Sequence, residues 1–352
     1  MKILYLNNAD YKTMNAGKEQ VLKMTRAFRK NKAETKLVTF GLDKKTNPKH
    51  GKLQYSLRTI ILLTKAKKGE QDVVMTRDLL LAILTKRKLK DRAIVIYELH
   101  NVHKKRSWEY LIKTAAKEID MIVTISQGLT DYLKKNFEVK CKIITLPCAA
   151  EEPEKEMKKE KARRNLKLQK DAKIVIYTGA LKEDRDIQTL IRTAKHTPDT
   201  KYLLFGNPTE WIKSKTKGSK NIKIMGYAKN PYTTYCAADV LFAGYSKNTN
   251  TYEYMSPIKL FEYGWSKRPM IITDLKRTRE FYNEKEAWFY NEGDEKQLAD
   301  TIRNAIEKKE KSRQKAENAY KRNKERTYKN RAKHIMTLAK SIQKTQSKRR
   351  TK

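Results

Sequence analysis

The chain has 352 residues, of which 39% are hydrophobic, and it carries a formal net charge of +40 at pH 7. This length favours two domains with separate cores, and the longest apolar run, residues 79–84, has six residues, which excludes a helix that spans a membrane. Three cysteines, Cys141, Cys148 and Cys236, lack metal-ligand spacing, so neither a disulfide framework nor a zinc site is expected.

The excess positive charge is distributed unevenly. Lys and Arg outnumber Asp and Glu by 32 to 14 in residues 1–150, by 32 to 24 in residues 151–310 and by 16 to 2 in residues 311–352. This asymmetry favours an anionic partner for the N-terminal half: a membrane surface, a phosphorylated acceptor or nucleic acid. A lysine-biased genome would give the same excess, so both explanations stay open. The N-terminus, MKILYLNNAD, reads as a strand without a signal peptide, and we expect a cytoplasmic protein.

Strand-like runs alternate with amphipathic helical stretches along the chain, a pattern typical of α/β proteins with parallel sheets. The first series of strands is expected at residues 2–6, 35–40, 72–76, 93–99, 121–126 and 142–147. The second series is expected at residues 173–179, 201–206, 221–226, 239–243 and 269–273. The pattern predicts two doubly wound, Rossmann-like domains that face each other across a cleft.

The charged segment between the two series sets the predicted domain boundaries. We expect an N-terminal domain at residues 1–150, a linker at 151–170 and a C-terminal domain at 171–310. Closing helices follow at 311–343, and a basic tail at 344–352 is expected to be disordered.

Loops that follow the strands are the places to search for a site, because open α/β sheets bind ligands beyond the carboxyl ends of their strands. Gly17 lies beyond the first strand, before a helix expected near Lys18, and Gly179 and Gly226 each follow a strand of the second series. Each glycine alone is equally typical of an ordinary turn. Arg185 precedes an expected helix, where a guanidinium can pair with phosphate oxygens.

The stretch MSPIKLFEYGW, residues 255–265, places a cation at a helix start. Ser256 is expected as the N-cap and Pro257 at the first helical position, so Lys259 lies in the first turn, where the helix dipole is already positive. An anion in front of the helix would remove this conflict. Glu262 lies on the same face, about 4.5 Å along the axis, and could accept hydrogen bonds from the hydroxyls of a nucleotide ribose. A solvated Lys-Glu pair is the alternative.

Together these segments resemble the GT-B glycosyltransferases of family 4, retaining enzymes that use nucleotide-sugar donors. The resemblance covers nearly the whole chain and is carried by YTGALKEDRDIQTLI, NIKIMGYAKNPYTTYCAADVLFA, SPIKLFEYGWSKRPMIITDL, EGDEKQLADTI and YKNRAKHI, with looser matches at the Gly17 loop, YELHN and IVTISQGL. It implies a GT-B fold of two Rossmann-like domains.

The resemblance also implies roles for individual residues. Glu262 would bind the donor ribose, and Ser256, Lys259 and Arg185 would bind the diphosphate. Gly226 and Tyr227 would contact the base, the Gly17 loop would approach the diphosphate and sugar, and His100 would lie against the donor sugar. Gly179 and Pro257 also belong to the donor-binding residues that the resemblance implies. A single histidine after a strand is otherwise typical of a structural residue.

Two positions depart from the family pattern. Tyr254 stands where many members have the first of two glutamates, with Glu253 one place away, and Ala180 stands where many have arginine. These changes are compatible with nucleotide binding. They put the identity of the sugar, and full activity, in question.

The resemblance implies a hexosyltransferase-like enzyme of class EC 2.4 that transfers a sugar from a UDP- or GDP-sugar to a glycan or lipid-linked acceptor, with retention of configuration. The departing phosphate would take the acceptor's proton, while Lys259 and Arg185 stabilise the leaving group. Neither a metal nor another cofactor is expected.

Two segments are compatible with peripheral binding to the anionic inner face of a membrane. Residues 103–113 combine basic and aromatic side chains, and residues 56–68 are apolar with a basic end. A solvated helix face and a core helix are the alternatives. Two further functional hypotheses are a catalytically weak donor-binding scaffold and a basic nucleic-acid-binding protein. The chain lacks nucleic-acid motifs, so no specific nucleic acid is expected.

Overall fold

The computed structural model describes residues 1–11, 15–40, 52–182, 185–249 and 251–350. The chain divides into two compact units. The first contains Met1–Pro147, Tyr254–Ser256 and Tyr328–Lys352, and the second contains Cys148–Glu253 and Pro257–Thr327. The C-terminal segment therefore belongs with the N-terminal half of the chain.

Each unit contains one six-stranded sheet in which the strands are parallel. The strands of the first sheet are β1 Lys2–Asp10, β2 Glu34–Phe40, β3 Val73–Thr76, β4 Ile94–Leu99, β5 Met121–Thr124 and β6 Lys142–Thr145. The strands of the second sheet are β7 Lys173–Thr178, β8 Thr200–Phe205, β9 Ile222–Gly226, β10 Val240–Ala243, β11 Met270–Thr273 and β12 Trp288–Tyr290. The orders are β2-β1-β3-β4-β5-β6 and β12-β11-β10-β7-β8-β9, so each sheet is doubly wound.

Helices connect the strands, as parallel sheets require. The helices between the strands of the first sheet are α1 Ala16–Lys30, α2 Lys52–Lys65, α3 Leu79–Leu89, α4 Arg106–Glu118 and α5 Gln127–Asn136. The helices that follow β6 are α6 Lys159–Asn165, α7 Ile187–Thr193, α8 Glu210–Thr216, α9 Pro231–Cys236, α10 Ile258–Gly264, α11 Lys276–Arg279, α12 Glu295–Glu307, α13 Lys309–Asn323 and α14 Tyr328–Arg350.

The hydrophobic runs of the sequence form the strands because they are buried on both faces. All six residues of β4 are buried, as are all four residues of β3, β5, β10 and β11. In the second unit, the core contains aliphatic and aromatic side chains of the strands and of α7 and α12. These cores fix the carboxyl ends of the strands, where the loops of a site begin.

The switch point of each sheet lies where the chain reverses its direction across the sheet. In the second sheet β8 and β9 lie on one side of β7, while β10, β11 and β12 lie on the other. The crevice between the carboxyl ends of β7 and β10 is therefore the expected ligand site of this sheet.

Three local features differ from the sequence expectations. β12 was not predicted at all. The N-cap of α10 is Pro257 rather than Ser256, so Lys259 is the second helical residue. Helix α14 continues to Arg350, through most of the segment expected as a disordered tail.

Within the described ranges, no helix is long and apolar enough to cross a membrane. The three cysteines are thiols rather than members of disulfides, with Cys148 and Cys236 buried. In the same part of the chain, no group of three or more His, Cys, Asp or Glu side chains is placed to hold a metal ion.

Candidate active site

A pocket of about 550 Å³, large enough for a small ligand, lies at the carboxyl edge of the second sheet. The loops after β7, β8 and β9 and one face of α10 line it. Four of the residues selected from the sequence lie on its wall: Gly179, Tyr227, Lys259 and Glu262. They come from three separate segments that the sheet brings together.

Lys259 is positioned by an aromatic ring. Its Nζ lies 3.8 Å from the centroid of the Tyr177 ring, a close cation–π contact. Tyr177 is fully buried in β7, and its hydroxyl donates a hydrogen bond of 2.8 Å to the Ala180 carbonyl. The ammonium is thereby held at the pocket by a side chain that cannot move easily.

Gly179 leaves the space that Lys259 occupies. Its φ is +132°, and a Cβ atom there would lie 3.0 Å from Lys259 Nζ. A Cβ atom at Gly206 would lie 2.1 Å from the Gly179 carbonyl oxygen. Both positions therefore require glycine for the close approach of the ends of β7 and β8.

Arg185 and Lys259 approach the same tyrosine. Arg185 Cζ lies 5.9 Å, and Lys259 Nζ 6.0 Å, from the centroid of the Tyr245 ring, in the loop after β10. Tyr245 is buried, and its hydroxyl has no hydrogen-bond partner among the described residues. Burial raises the pKa of Tyr245, so the hydroxyl stays protonated and can donate a hydrogen bond. Two cations and an unused donor thus meet at the switch point of the sheet.

Asp186 fixes the backbone that follows Arg185. It adopts a left-handed conformation with φ 49° at the start of α7. Its carboxylate accepts hydrogen bonds from Thr189 Oγ1 and from the Tyr290 hydroxyl, each 2.6 Å long. Burial raises the pKa of Asp186. The hydrogen bonds favour its charged form and anchor the turn on β12.

Glu262 is held by tyrosines on the other side of the pocket. Its Oε2 accepts a hydrogen bond of 2.9 Å from the Tyr235 hydroxyl. Burial, followed by the charge of Glu262, raises the pKa of Tyr235 well above its usual value. The Tyr235 ring contacts Tyr263 edge to face, and Thr178 N donates to the Tyr263 hydroxyl. This arrangement fixes the carboxylate relative to the end of β7.

In the first unit, a buried carboxylate connects several elements. Glu98, at the end of β4, pairs with Arg77 Nε at 2.6 Å and with Arg331 Nη1 of α14 at 2.8 Å, and it accepts a hydrogen bond from the Tyr5 hydroxyl at 3.1 Å. Burial opposes the ionisation of Glu98, but the charges of Arg77 and Arg331 outweigh it and hold the pKa well below its usual range. Glu98 is therefore an anion that organises this edge of the first sheet.

Gly17 and His100 both connect to this ion-pair network. Arg77 Nη1 donates to the Gly17 carbonyl at 2.9 Å, and His100 Nε2 lies 3.4 Å from Glu98 Oε2 without a hydrogen bond to any described residue. Burial and the charge of Arg77 lower the pKa of His100 to about 4. The imidazole is therefore neutral at pH 7.

Part of the chain matches a known protein family. Residues 158–322, most of the second unit, match the model of the family described as glycosyl transferases group 1. This part of the chain is therefore similar to the group 1 glycosyl transferases. No curated protein sequence matches significantly.

Solved structures resemble the whole chain. A glycosyltransferase from Rickettsia africae superposes with a TM-score of 0.78 at 15% identity, covering 97% of this chain and 98% of the other. The sucrose-phosphate synthase of Thermosynechococcus elongatus gives 0.77 at 15% identity, with the same coverage. HepE of Anabaena, in complex with UDP, gives 0.76 at 14% identity, covering 97% and 100%. At these identities the likeness shows the fold, and it confirms the predicted GT-B fold.

The other site residues predicted from the sequence are divided between the two units. Gly226 has φ 71°, and its carbonyl accepts a hydrogen bond of 2.8 Å from Gly206 N, next to Tyr227, which is 76% exposed. Pro257 caps α10. Ser256, Gly17 and His100 belong to the first unit.

Glu253 and Tyr254, at the first of the two departures from the family pattern, both have structural partners. Glu253 forms an ion pair with Arg277, with Oε2 2.7 Å from Nη2. The ring of Tyr254 contacts that of Tyr132 edge to face at 5.7 Å, and its carbonyl accepts a hydrogen bond from Ser126. Both residues are therefore used in structural contacts.

Sequence reasoning missed the tyrosines that position the charged groups, namely Tyr177, Tyr235 and Tyr245. A tyrosine in or after a strand is typical of a core residue, and its sequence position does not show what its ring or hydroxyl touches. Arg77 could have been predicted from the sequence, because it directly follows β3 and so lies at the carboxyl edge of the first sheet, where ligand sites are expected.

Proposed function

We propose that the protein transfers a sugar from a nucleotide-diphosphate sugar to an acceptor hydroxyl, with retention of configuration, as a hexosyltransferase of the retaining family 4. The observation that carries the proposal is the convergence of Lys259, Arg185 and the unused Tyr245 hydroxyl at the switch point of the second sheet. A diphosphate is an anion that would bind both cations and accept a hydrogen bond from the tyrosine.

The donor would fit the pocket at the carboxyl edge as follows. Its diphosphate lies against Lys259, Arg185 and Tyr245, and its ribose hydroxyls donate to Glu262, which Tyr235 already orients. Gly226 and Tyr227 lie next to the base. HepE, a protein of the same fold, has been solved with UDP and with UDP-glucose, which supports a UDP-sugar over a GDP-sugar.

In this mechanism the cations act on the leaving group. As the bond from the anomeric carbon to the phosphate oxygen breaks, negative charge grows on the diphosphate and is stabilised by Lys259 and Arg185. The same phosphate oxygen accepts the proton of the attacking hydroxyl, so no protein base is needed. Neutral His100 can hydrogen-bond to a sugar hydroxyl without competing for the negative charge.

The acceptor is proposed to be lipid-linked, at the anionic inner face of a membrane. Helix α2 buries Thr59 and Leu62 but exposes Leu57, Ile60 and Ile61 by 56%, 59% and 39%. The spacing of these three residues places them in one apolar stripe. Three exposed lysines, Lys65, Lys67 and Lys68, follow the stripe directly. An apolar stripe next to clustered cations fits an anionic lipid surface better than a neutral protein surface.

A panel of UDP-, GDP- and ADP-sugars tests the function. A donor at 100 times its dissociation constant stabilises the fold by about 2.7 kcal/mol, which a melting experiment detects. The stabilising donor is then incubated with an extract of membrane lipids, and transfer is followed with a labelled sugar. Stabilisation without hydrolysis or transfer would favour the donor-binding scaffold instead.

A further inference from the structure

A second cavity, of 540 Å³, lies in the second unit at the amino edge of its sheet. Residues before β7, β10 and β11, together with parts of α6, α12 and α13, line it. Lys173, the first residue of β7, belongs to this cavity, whereas Thr178, the last residue, belongs to the donor pocket. The two cavities are therefore separated by the length of a strand, about 17 Å.

The wall of this cavity is more basic than the chain as a whole. Eight of its 15 residues are Lys or Arg, and two are Asp, whereas Lys and Arg make up 80 of 352 residues overall. The basic residues are Lys159, Arg163, Lys170, Lys173, Lys267, Arg268, Lys309 and Arg313. Composition bias alone does not account for this density.

Part of this charge is compensated within the protein. Asp239 pairs with Lys159 at 2.8 Å and with Arg163 at 2.6 Å. Lys267 pairs with Glu156, Lys173 with Asp199, and Arg313 with Glu310. These cations serve the structure of the second unit.

The three remaining cations in the cavity have no direct ion pair within the described residues, although the carboxylates of Asp239 and Glu160 are near enough to interact with the charge of Arg268. Lys170, Arg268 and Lys309 form no ion pair with any described residue. The Nε of Arg268 is buried and has no hydrogen-bond partner in the described part of the chain. A buried donor without a partner costs about 1–3 kcal/mol, more for a charged group, so a bound anion would relieve an existing penalty.

We propose that this cavity binds a small, multiply charged phosphate compound, such as pyrophosphate or the polyphosphate of a nucleotide. The guanidinium of Arg268 would bind one phosphate group through its unused donor, and Lys170 and Lys309 would neutralise further charge. The volume lies within the range of about 300–1,000 Å³ for small-molecule pockets, which suits a compact ligand. This site is distinct from the donor pocket.

Calorimetric titration tests the proposal, with pyrophosphate and tripolyphosphate as probes at constant ionic strength. The titrations use the Lys259→Ala protein, so that a phosphate site in the donor pocket is weakened. One saturable site is expected. Arg268→Gln, added to this protein, should weaken binding about tenfold or more, because it removes a charge-assisted hydrogen bond.

Two further variants separate binding from folding effects. Lys170→Gln with Lys309→Gln changes two exposed side chains and should also weaken pyrophosphate binding about tenfold. Lys296→Gln removes an exposed cation that lies about 13 Å along α12 from Ala305, a residue of the cavity wall. This change should leave binding unchanged. Absence of a saturable site in the Lys259→Ala protein, or equal affinity in all variants, would overturn the proposal. Either result leaves the donor-site assignment untouched.

Discussion

The ammonium group of Lys259 lies 3.8 Å from the centre of the Tyr177 ring and 3.0 Å from the position that a Cβ atom at Gly179 would take. The lysine is on α10 and the tyrosine on β7, so a helix start and a strand end are joined by one cation–π contact. Such a contact contributes about 0.5–2 kcal/mol, depending on its exposure to water. The cation is therefore in place before any ligand arrives.

Gly179→Ala tests whether this placement matters for ligand binding. The new Cβ would lie 3.0 Å from Lys259 Nζ, and the residue would also be strained at φ +132°. We expect UDP affinity to fall about tenfold, with a loss of stability of about 1 kcal/mol or more. Gly218→Ala is the matched control, because Gly218 has φ +79° and nothing within 4 Å. A control that lowers UDP affinity equally would assign the effect to strain alone.

Tyr245→Phe tests the unused hydroxyl. Since that hydroxyl is buried without a partner among the described residues, its removal should leave the melting temperature of the ligand-free protein unchanged or slightly raised. UDP binding should weaken several-fold, by about 1 kcal/mol, because a hydrogen bond to the diphosphate is lost. Thermal melting and calorimetry on the same preparation measure both effects. A lower melting temperature with normal UDP affinity would show that the hydroxyl serves only the fold.

Lys259→Ala and Arg185→Ala test the stabilisation of the leaving group. Charge on the diphosphate grows in the transition state, so kcat should fall about a hundredfold or more while the KM for the donor changes less. Steady-state kinetics with the donor found in the panel separate the two parameters. Lys296→Gln, an exposed lysine of the same unit, should retain normal kinetics. A variant with normal kcat and a raised KM would contradict the proposed role.

The apolar stripe of α2 predicts binding to anionic vesicles. Replacing Leu57, Ile60 and Ile61 by serine should weaken sedimentation with phosphatidylglycerol vesicles at least about tenfold, because each buried apolar side chain contributes about 1.5–3 kcal/mol. The matched control, Leu57→Ile with Ile60→Leu and Ile61→Leu, keeps the stripe apolar and should bind normally. Equal binding of the wild-type protein to neutral and anionic vesicles at low salt would contradict this surface.

The sequence predicts the sheets well and the side-chain contacts poorly. Eleven strands were predicted because their β-branched and aliphatic runs are bounded by polar turns. β12, with three residues between charged segments, gives no such signal. Lys259 and Glu262 were identified because a cation in the first turn of a helix conflicts with its dipole.

The partners of these residues depend on the folded sheet. Tyr177 and Tyr235 lie 82 and 27 residues before Lys259 and Glu262, respectively, and only the strand order of the second sheet places them together. The cavity at the amino edge likewise combines residues from 159 to 313. Local patterns do not contain this information. The N-cap of α10 shows the same limit at short range, because Ser256 matches the capping preference although Pro257 occupies the position.

Calorimetric titration of UDP into the wild-type protein and Glu262→Gln tests the donor-site assignment most directly. The amide keeps the shape of the side chain and loses its charge, and a charge-assisted hydrogen bond to ribose contributes about 1.5–3 kcal/mol. We therefore predict that UDP binds about tenfold or more weakly to Glu262→Gln, with an unchanged fold by circular dichroism. Equal UDP affinity in the two folded proteins would mean that Glu262 serves only as a partner of Tyr235 or Lys259, and it would contradict the donor site.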